Sequence, residues 1–307
     1  MKRFFFLLSL LALIATSNSR SMEPSQSAEV EATYKDIKQT FGIVPTFLKD
    51  YPEAGITGAW QEMKGLELNP KTVLPGKYKE LIGLAIAAQI PCRLCVYFHT
   101  EAAKVNKATP LETKEAIAMA AQVRRWSTFL TGVQIDVGEF RSEVDKMLIF
   151  QNNQSNLQAM EVKPALAEVP LDSPEAVYKE IKAYMGFVPN YISQYPKSAI
   201  VGAWKEMKGI ELNPDSAISG KYKELIGLAV SSQIPCQYCV YYHTQAALMQ
   251  GATKEELEET AALAGTVRTW STVLNGQLTD EKKFQAEVNK IMKYLGASTK
   301  KEVGLLN

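Results

Sequence analysis

The sequence predicts an all-α fold made of two tandem helical repeats, and three observations carry that expectation. The chain first matches itself. Gly76-Lys77-Tyr78-Lys79-Glu80-Leu81-Ile82-Gly83-Leu84-Ala85 recurs as Gly220 to Ala229, and 21 of the 28 positions from Gly76 to Ala103 are identical at that shift. Second, apolar residues follow a helical period, and alternating strand patterns are absent. Third, Thr109-Pro110-Leu111-Glu112 and Thr253-Lys254-Glu255-Glu256 are capping boxes at matching places, each opening a long Ala-rich stretch.

Each element has a local reason. Tyr34, Ile37, Lys38 and Phe41 open a short amphipathic segment, stopped by Gly42 and Pro45. Ala54 to Lys64 and Gly76 to Gln89 read as helices, and the second is apolar nearly all round from Leu81 to Ala88, as a buried helix is. Pro91 ends it and can serve as the first residue of the next helix, which carries Cys92 to Lys104. The Ala-rich helices end near Gly132 and Gly276. Other pairs hold the same register: Gly58-Ala59-Trp60 with Gly202-Ala203-Trp204, and Trp126-Ser127-Thr128 with Trp270-Ser271-Thr272. The expected organisation is a leader over 1–17, a first repeat over 30–150, a polar linker over 151–173 and a second repeat over 174–296.

Composition excludes several classes. At 307 residues, 46% hydrophobic and 22% charged, the chain is globular and of two-domain size. A formal charge of +1 gives no bulk attraction to nucleic acid or anionic lipid. Met1-Lys2-Arg3 followed by the apolar run Phe4 to Ile14 and Ala15-Thr16-Ser17 has the layout of a secretory leader, too short for a stable span. The expectation is an exported protein, in the periplasm or secreted, without stable membrane insertion. Disulfides persist in such compartments.

All four cysteines and both histidines fall in two copies of one segment, Pro91 to His99 and Pro235 to His243. On a helix, Cys92, Cys95 and His99 share one stripe, as do Cys236, Cys239 and His243. A first-turn cysteine gains thiolate character from free amides and the helix dipole. A histidine one turn beyond the second cysteine can take its proton, which makes a nucleophile–base pair with a resolving thiol. A structural staple competes with this redox reading, although so short a loop contributes only about 2 kcal/mol. A Cys2His metal site also competes, although zinc ligand pairs are usually separated by a longer loop. Haem attachment needs histidine directly after the second cysteine, where Val96 and Val240 stand. Glu80 and Glu224 precede the first cysteines by twelve residues. Buried, each would have a raised pKa and could pass a proton to the histidine or thiol; solvated, each would only start its helix.

Glu80, Cys92, Cys95 and His99, with Glu224, Cys236, Cys239 and His243, resemble the E-x11-C-x2-C-x3-H pattern of the alkyl hydroperoxidase D-like proteins of the carboxymuconolactone decarboxylase superfamily. The likeness covers both repeats. It implies two tandem alkyl hydroperoxidase D-like helical repeats and a thiol peroxidase or disulfide reductase that works without cofactor or metal. It further implies Cys95 and Cys239 as peroxide-attacking thiols, Cys92 and Cys236 as resolving thiols, and Glu80/His99 and Glu224/His243 as the proton relay. The implied partners are a small organic hydroperoxide and an external thiol reductant protein, in a homo-oligomer such as a trimer of tandem chains. One departure shortens the relay. The best-known member has a further histidine just before its second cysteine, where this chain has Leu94 and Tyr238. The decarboxylase branch generally lacks the dithiol.

Other repeated residues read as structural. Trp60/Trp204 and Trp126/Trp270 could wall a pocket but more often pack a core; Arg124/Arg268 read as surface arginines and Tyr97/Tyr241 as packing. Ala85, Ala87 and Ala88 point to a narrow access path. The rival functions are thiol–disulfide exchange with little peroxidase activity, and a non-enzymatic helical module with a structural CxxC disulfide.

Overall fold

The computed structural model describes residues 24–158 and 170–302. The expected leader over 1–17 and part of the expected linker lie outside the described residues. Among the described residues there are fourteen helices and no strand. The first repeat contributes α1 (Pro24–Phe41), α2 (Thr46–Lys49), α3 (Glu53–Leu66), α4 (Gly76–Gln89), α5 (Arg93–Val105), α6 (Pro110–Gly132) and α7 (Val137–Gln158). The second contributes α8 (Pro174–Met185), α9 (Asn190–Ser193), α10 (Lys197–Ile210), α11 (Gly220–Gln233), α12 (Gln237–Met249), α13 (Lys254–Gly276) and α14 (Glu281–Glu302).

Local signals work as expected at most helix ends. Both capping boxes form, with Thr109 and Glu112, and Thr253 and Glu256, satisfying each other's backbone amides. Gly42 and Gly186 take positive φ after α1 and α8, where a side chain would be strained. Two expectations need correction. Arg93, not Pro91, starts α5, and Cys92 is its extended cap: the Cys92 sulfur accepts the Cys95 amide at 3.2 Å, and Cys236 does the same for Cys239. The stretch expected as linker from Gln151 begins as the last turns of α7. Phe140, Val144 and Met147 bury one face of that helix at i, i+4 and i+7, and the polar residues beyond simply continue it.

The repeats are interlocked. α4 and α11 pack at the centre, and Tyr78 stacks on its counterpart Tyr222 at 3.4 Å, which marks a pseudo-twofold axis. Across that axis α6 packs on α11 and α13 on α4, while α14 packs on α5 and α7 on α12. One apolar core joins α1 to α5 with Trp270, Leu274, Phe284, Val288 and Ile291 of the second repeat. Polar clasps follow the same crossing. Glu287 on α14 accepts the Thr46 amide and hydroxyl at the start of α2, and Glu143 on α7 accepts the Asn190 amide at the start of α9. Glu259 on α13 and Glu115 on α6 likewise hold the loops before α4 and α11 of the other repeat.

Candidate functional site

Each dithiol lies where α4 meets α5, or α11 meets α12. Cys92 and Cys95 form a disulfide, as do Cys236 and Cys239, each with Cα atoms 5.3 Å apart. All four are buried, from 0% exposed at Cys92 to 5% at Cys239. A Cys2His metal set is therefore not assembled, because each sulfur is bonded to its neighbour.

Glu80 and Glu224 are buried rather than solvated. The Glu80 carboxylate lies 2.9 Å from His99 Nδ1, and the Glu224 carboxylate 2.7 Å from His243 Nδ1. The helix i, i+4 relation aims each histidine back toward its dithiol, and glycine makes room for the ring. A Cβ on Gly83 would fall within 3.0 Å of three His99 ring atoms, and one on Gly227 would meet His243 the same way. The structure thus joins all eight expected residues into two matching sites.

A third carboxylate escaped the sequence reading. Glu67, the C-cap of α3, is buried with an oxygen 3.9 Å from His99 Nδ1, and Glu211 occupies the matching place. Glu67, Glu80 and His99, and likewise Glu211, Glu224 and His243, bring their donor atoms within 4.8 Å of one another. That is close enough to share protons through the imidazole. A signal existed: Leu66-Glu67-Leu68-Asn69-Pro70 repeats as Ile210-Glu211-Leu212-Asn213-Pro214. Lys79 holds the turn that carries Glu67, donating to the Leu66 and Asn69 carbonyls at 2.6 and 2.8 Å.

Burial sets the acid–base character. It pushes Glu67 and Glu211 up to about 7 and Glu224 up to about 8, although the histidines beside Glu67 and Glu211 and Lys223 beside Glu224 pull the other way. Burial also opposes a charged imidazole. At His99 the Glu80 hydrogen bond and the two carboxylates outweigh it and raise the pKa, whereas at His243 burial wins and lowers it.

These shifts predict how stability depends on pH. A carboxyl raised in the folded state stabilises fully below its ordinary 4.5 and loses that contribution as pH rises through 7 to 8. His99, also raised, acts in the same direction; His243, lowered, loses its contribution as pH falls. Three carboxyls and His99 outnumber His243. The oxidised protein, whose cysteines do not titrate, is therefore expected to melt at a lower temperature at pH 9 than at pH 6, with Glu224→Gln flattening the difference. Circular-dichroism melts at the two pH values check this, and an equal or higher midpoint at pH 9 contradicts it.

Each site opens on a small apolar cavity walled by both repeats. Cys95, Phe98, His99 and Glu67 share a cavity of about 30 Å³ with Phe47, Val267, Trp270, Leu274 and Phe284. Cys239, Tyr242, His243 and Glu211 share one of about 40 Å³ with Val123, Trp126, Leu130, Phe140 and Tyr191. The second cysteine of each pair faces the cavity. Trp126 and Trp270 wall the site of the opposite repeat, and the Trp126 indole Nε1 is buried without a hydrogen-bond partner among the described residues. The other expectations sort cleanly. Trp60 and Trp204 pack the core, donating to Asp36 and Glu180. Tyr97 and Tyr241 tie α5 to α14 and α12 to α7, through Asn289 and Asp145. Arg124 and Arg268 are exposed. Tyr238 donates to the Ile135 carbonyl at 2.7 Å rather than to the relay. The expected alanine-lined path is corrected: Ala85 and Ala87 are core residues, and large apolar side chains narrow the cavities.

The family model described as the carboxymuconolactone decarboxylase family matches residues 55–135 and 199–276, more than half of the chain. The chain belongs to the carboxymuconolactone decarboxylase family. It carries that family unit twice, each copy including one complete CxxC and its histidine, and the family includes both decarboxylases and peroxidase-like enzymes. A solved structure assigned as a gamma-carboxymuconolactone decarboxylase subunit from Burkholderia xenovorans LB400 is similar over 81% of this chain and 95% of its own, at 18% identity and a TM-score of 0.45. No curated protein matches the chain significantly.

Proposed function

We propose that this family member is an oxidoreductase acting on peroxide, which reduces small organic hydroperoxides at two CxxC dithiols. The observation that carries the reading is the pairing, in each site, of a cavity-facing cysteine with a buried His–Glu proton pair. In the reduced protein the Cys95 thiolate attacks the terminal oxygen of the hydroperoxide. An S–O bond forms, the O–O bond breaks, and the departing alkoxide takes a proton from the His99–Glu80 pair. The Cys92 thiolate then attacks the sulfenic acid. The S–S bond forms and hydroxide leaves, taking a second proton from the same relay to become water, so two thiolates lose two electrons and the peroxide gains them. An external dithiol returns both electrons by exchange. Cys239, Cys236, His243 and Glu224 act likewise in the second site. No cofactor or metal enters this scheme.

Burial favours a small oxidant over a protein disulfide. Cys95 is 4% exposed and its cavity holds about 30 Å³, so a small oxidant meets it in the closed fold, whereas any protein partner, the reductant included, needs the site to open locally first. The reading also includes export, a thiol reductant protein as electron donor, and assembly of tandem chains into a homo-oligomer. Among the described residues no helix is long and apolar enough to cross a membrane.

Thiol counting on the reduced protein tests the reading. One equivalent of cumene hydroperoxide per repeat is expected to remove two thiols from each intact repeat. Cys95→Ser should abolish that loss in the first repeat alone, and Cys239→Ser in the second alone. Thiols that survive peroxide but oxidise against a small disulfide would mean exchange chemistry instead. Cysteines that resist native reduction would leave a structural staple.

A further inference from the structure

The first site touches a second cavity that the peroxide scheme does not use. It holds about 240 Å³ and is lined by Thr40, Glu67, Asn69, Glu80 and Asn106 among its polar residues. Asn106 and Pro70 at its rim are exposed, so it reaches solvent. This volume is ample for several waters with polar partners. Glu67 and Phe98 line this cavity and the apolar one alike. Glu67 therefore stands between a wet space and the narrow apolar space that Cys95 faces, with His99 Nδ1 3.9 Å away.

The second site is built differently at the same positions. Tyr242 replaces Phe98 and Tyr184 replaces Thr40. Glu211 receives a hydrogen bond from Gln122 of the other repeat, with Tyr242 lining the same cavity. Thr266 occupies the place of Gln122 in the first site, and its hydroxyl lies 3.4 Å from Glu62, not on Glu67.

We propose that Glu67 is the proton entry of the first site, exchanging protons between the solvent-connected cavity and the His99–Glu80 pair while substrate uses the apolar cavity. The inference rests on the dithiol redox reading above. Each half of the turnover moves protons, because the relay protonates the departing alkoxide and hydroxide and must be recharged with the two protons that the external dithiol gives up when it reduces the disulfide to two thiolates. The charged and titratable groups around Glu67 are His99 on α5, Glu80 and Lys79 on α4, and Glu259 of α13, which pairs with Lys79 at 3.2 Å. Burial lifts Glu67 to about 7, where a carboxyl can both give and take a proton near neutrality. Glu67 acts through His99, so it is a positioning and proton-carrying residue, not one that touches the peroxide.

The experiment uses the full chain with Cys236→Ser and Cys239→Ser, so that only the first site reports. Stopped-flow thiol loss with cumene hydroperoxide, and disulfide reduction by dithiothreitol, are followed from pH 5.5 to 9. Glu67→Gln is expected to slow both steps roughly tenfold or more, below the ~10²–10⁴ of a direct acid–base group, and to remove a break in the profile near pH 7. Glu67→Asp should restore the break. Thr40→Tyr, which puts into the cavity the larger side chain that the second repeat carries at the matching position, should slow both steps while leaving the relay residues in place. A Glu67→Gln protein with the parent rate and profile overturns the proton route. So does a uniform slowing that leaves the break where it was. A parent dithiol inert to both reagents overturns the redox reading itself, and the route with it.

Discussion

Gly83→Ala is expected to slow peroxide-driven thiol loss at the first site on the order of 100-fold or more while leaving the second site at its parent rate. Helix propensity alone predicts the opposite sign for stability, since alanine is worth about 1 kcal/mol over glycine inside a helix. Space decides otherwise. The new methyl group would lie within 3.0 Å of three atoms of the His99 ring, and both groups sit on packed helices. The ring must leave its place beside Glu80 or α4 must shift, at about 1–3 kcal/mol for overpacking. Either response breaks the 2.9 Å contact through which the proton is held, and loss of a positioned acid–base group costs about 10²–10⁴ in rate. Gly58→Ala on α3 is the control, because a Cβ there meets nothing within 4 Å; it should raise the melting temperature slightly. Site-resolved thiol counting by peptide mass spectrometry reads the result. A Gly83→Ala protein as fast as the parent at Cys95 would mean that His99 takes no part.

Trp270→Ala is expected to disturb Cys95, 175 residues earlier in the chain, rather than Cys239, which lies in its own repeat. The indole packs edge-on against Phe47 at 5.7 Å and beside Tyr51 at 5.5 Å, both in the first repeat, and walls the first cavity. Removing a buried tryptophan costs about 3–5 kcal/mol. The enlarged cavity should also admit water and bulky thiol reagents to Cys95. Alkylation rates of the reduced protein with a small and a large maleimide should rise at Cys95 and stay constant at Cys239. The reverse pattern would show that each repeat closes its own site. Trp126→Ala makes the mirrored prediction for Cys239.

Helices, caps and the duplication were legible because each depends on neighbours in sequence. A capping box closes within four residues, and Thr109–Glu112 forms as written. The alignment of Cys95 with His99 follows from helix geometry once α5 is granted, whereas Cys92 joins them from the extended cap residue before the helix. Glu80 was within reach for a different reason: a lone carboxylate on a largely apolar helix is either buried with a partner or solvated, and the resemblance to the E-x11-C-x2-C-x3-H pattern chose between the two.

Glu67, Gly83 and the cavity walls needed three dimensions. Glu67 ends α3 and enters the site only because the chain reverses before α4, so no helical period links it to His99. Gly83 looks like a weak point in a buried helix until the imidazole that fills its missing Cβ is seen. The tryptophans show the same limit most clearly. Each repeat carries one on its long helix, and sequence identifies it as buried but not against what. Near-identical repeats present near-identical apolar faces, so local pattern alone cannot say whether α13 covers α11's site or α4's. The pairing across the pseudo-twofold axis settles that, because burying both sets of faces at once closes each cavity with the partner repeat's helices.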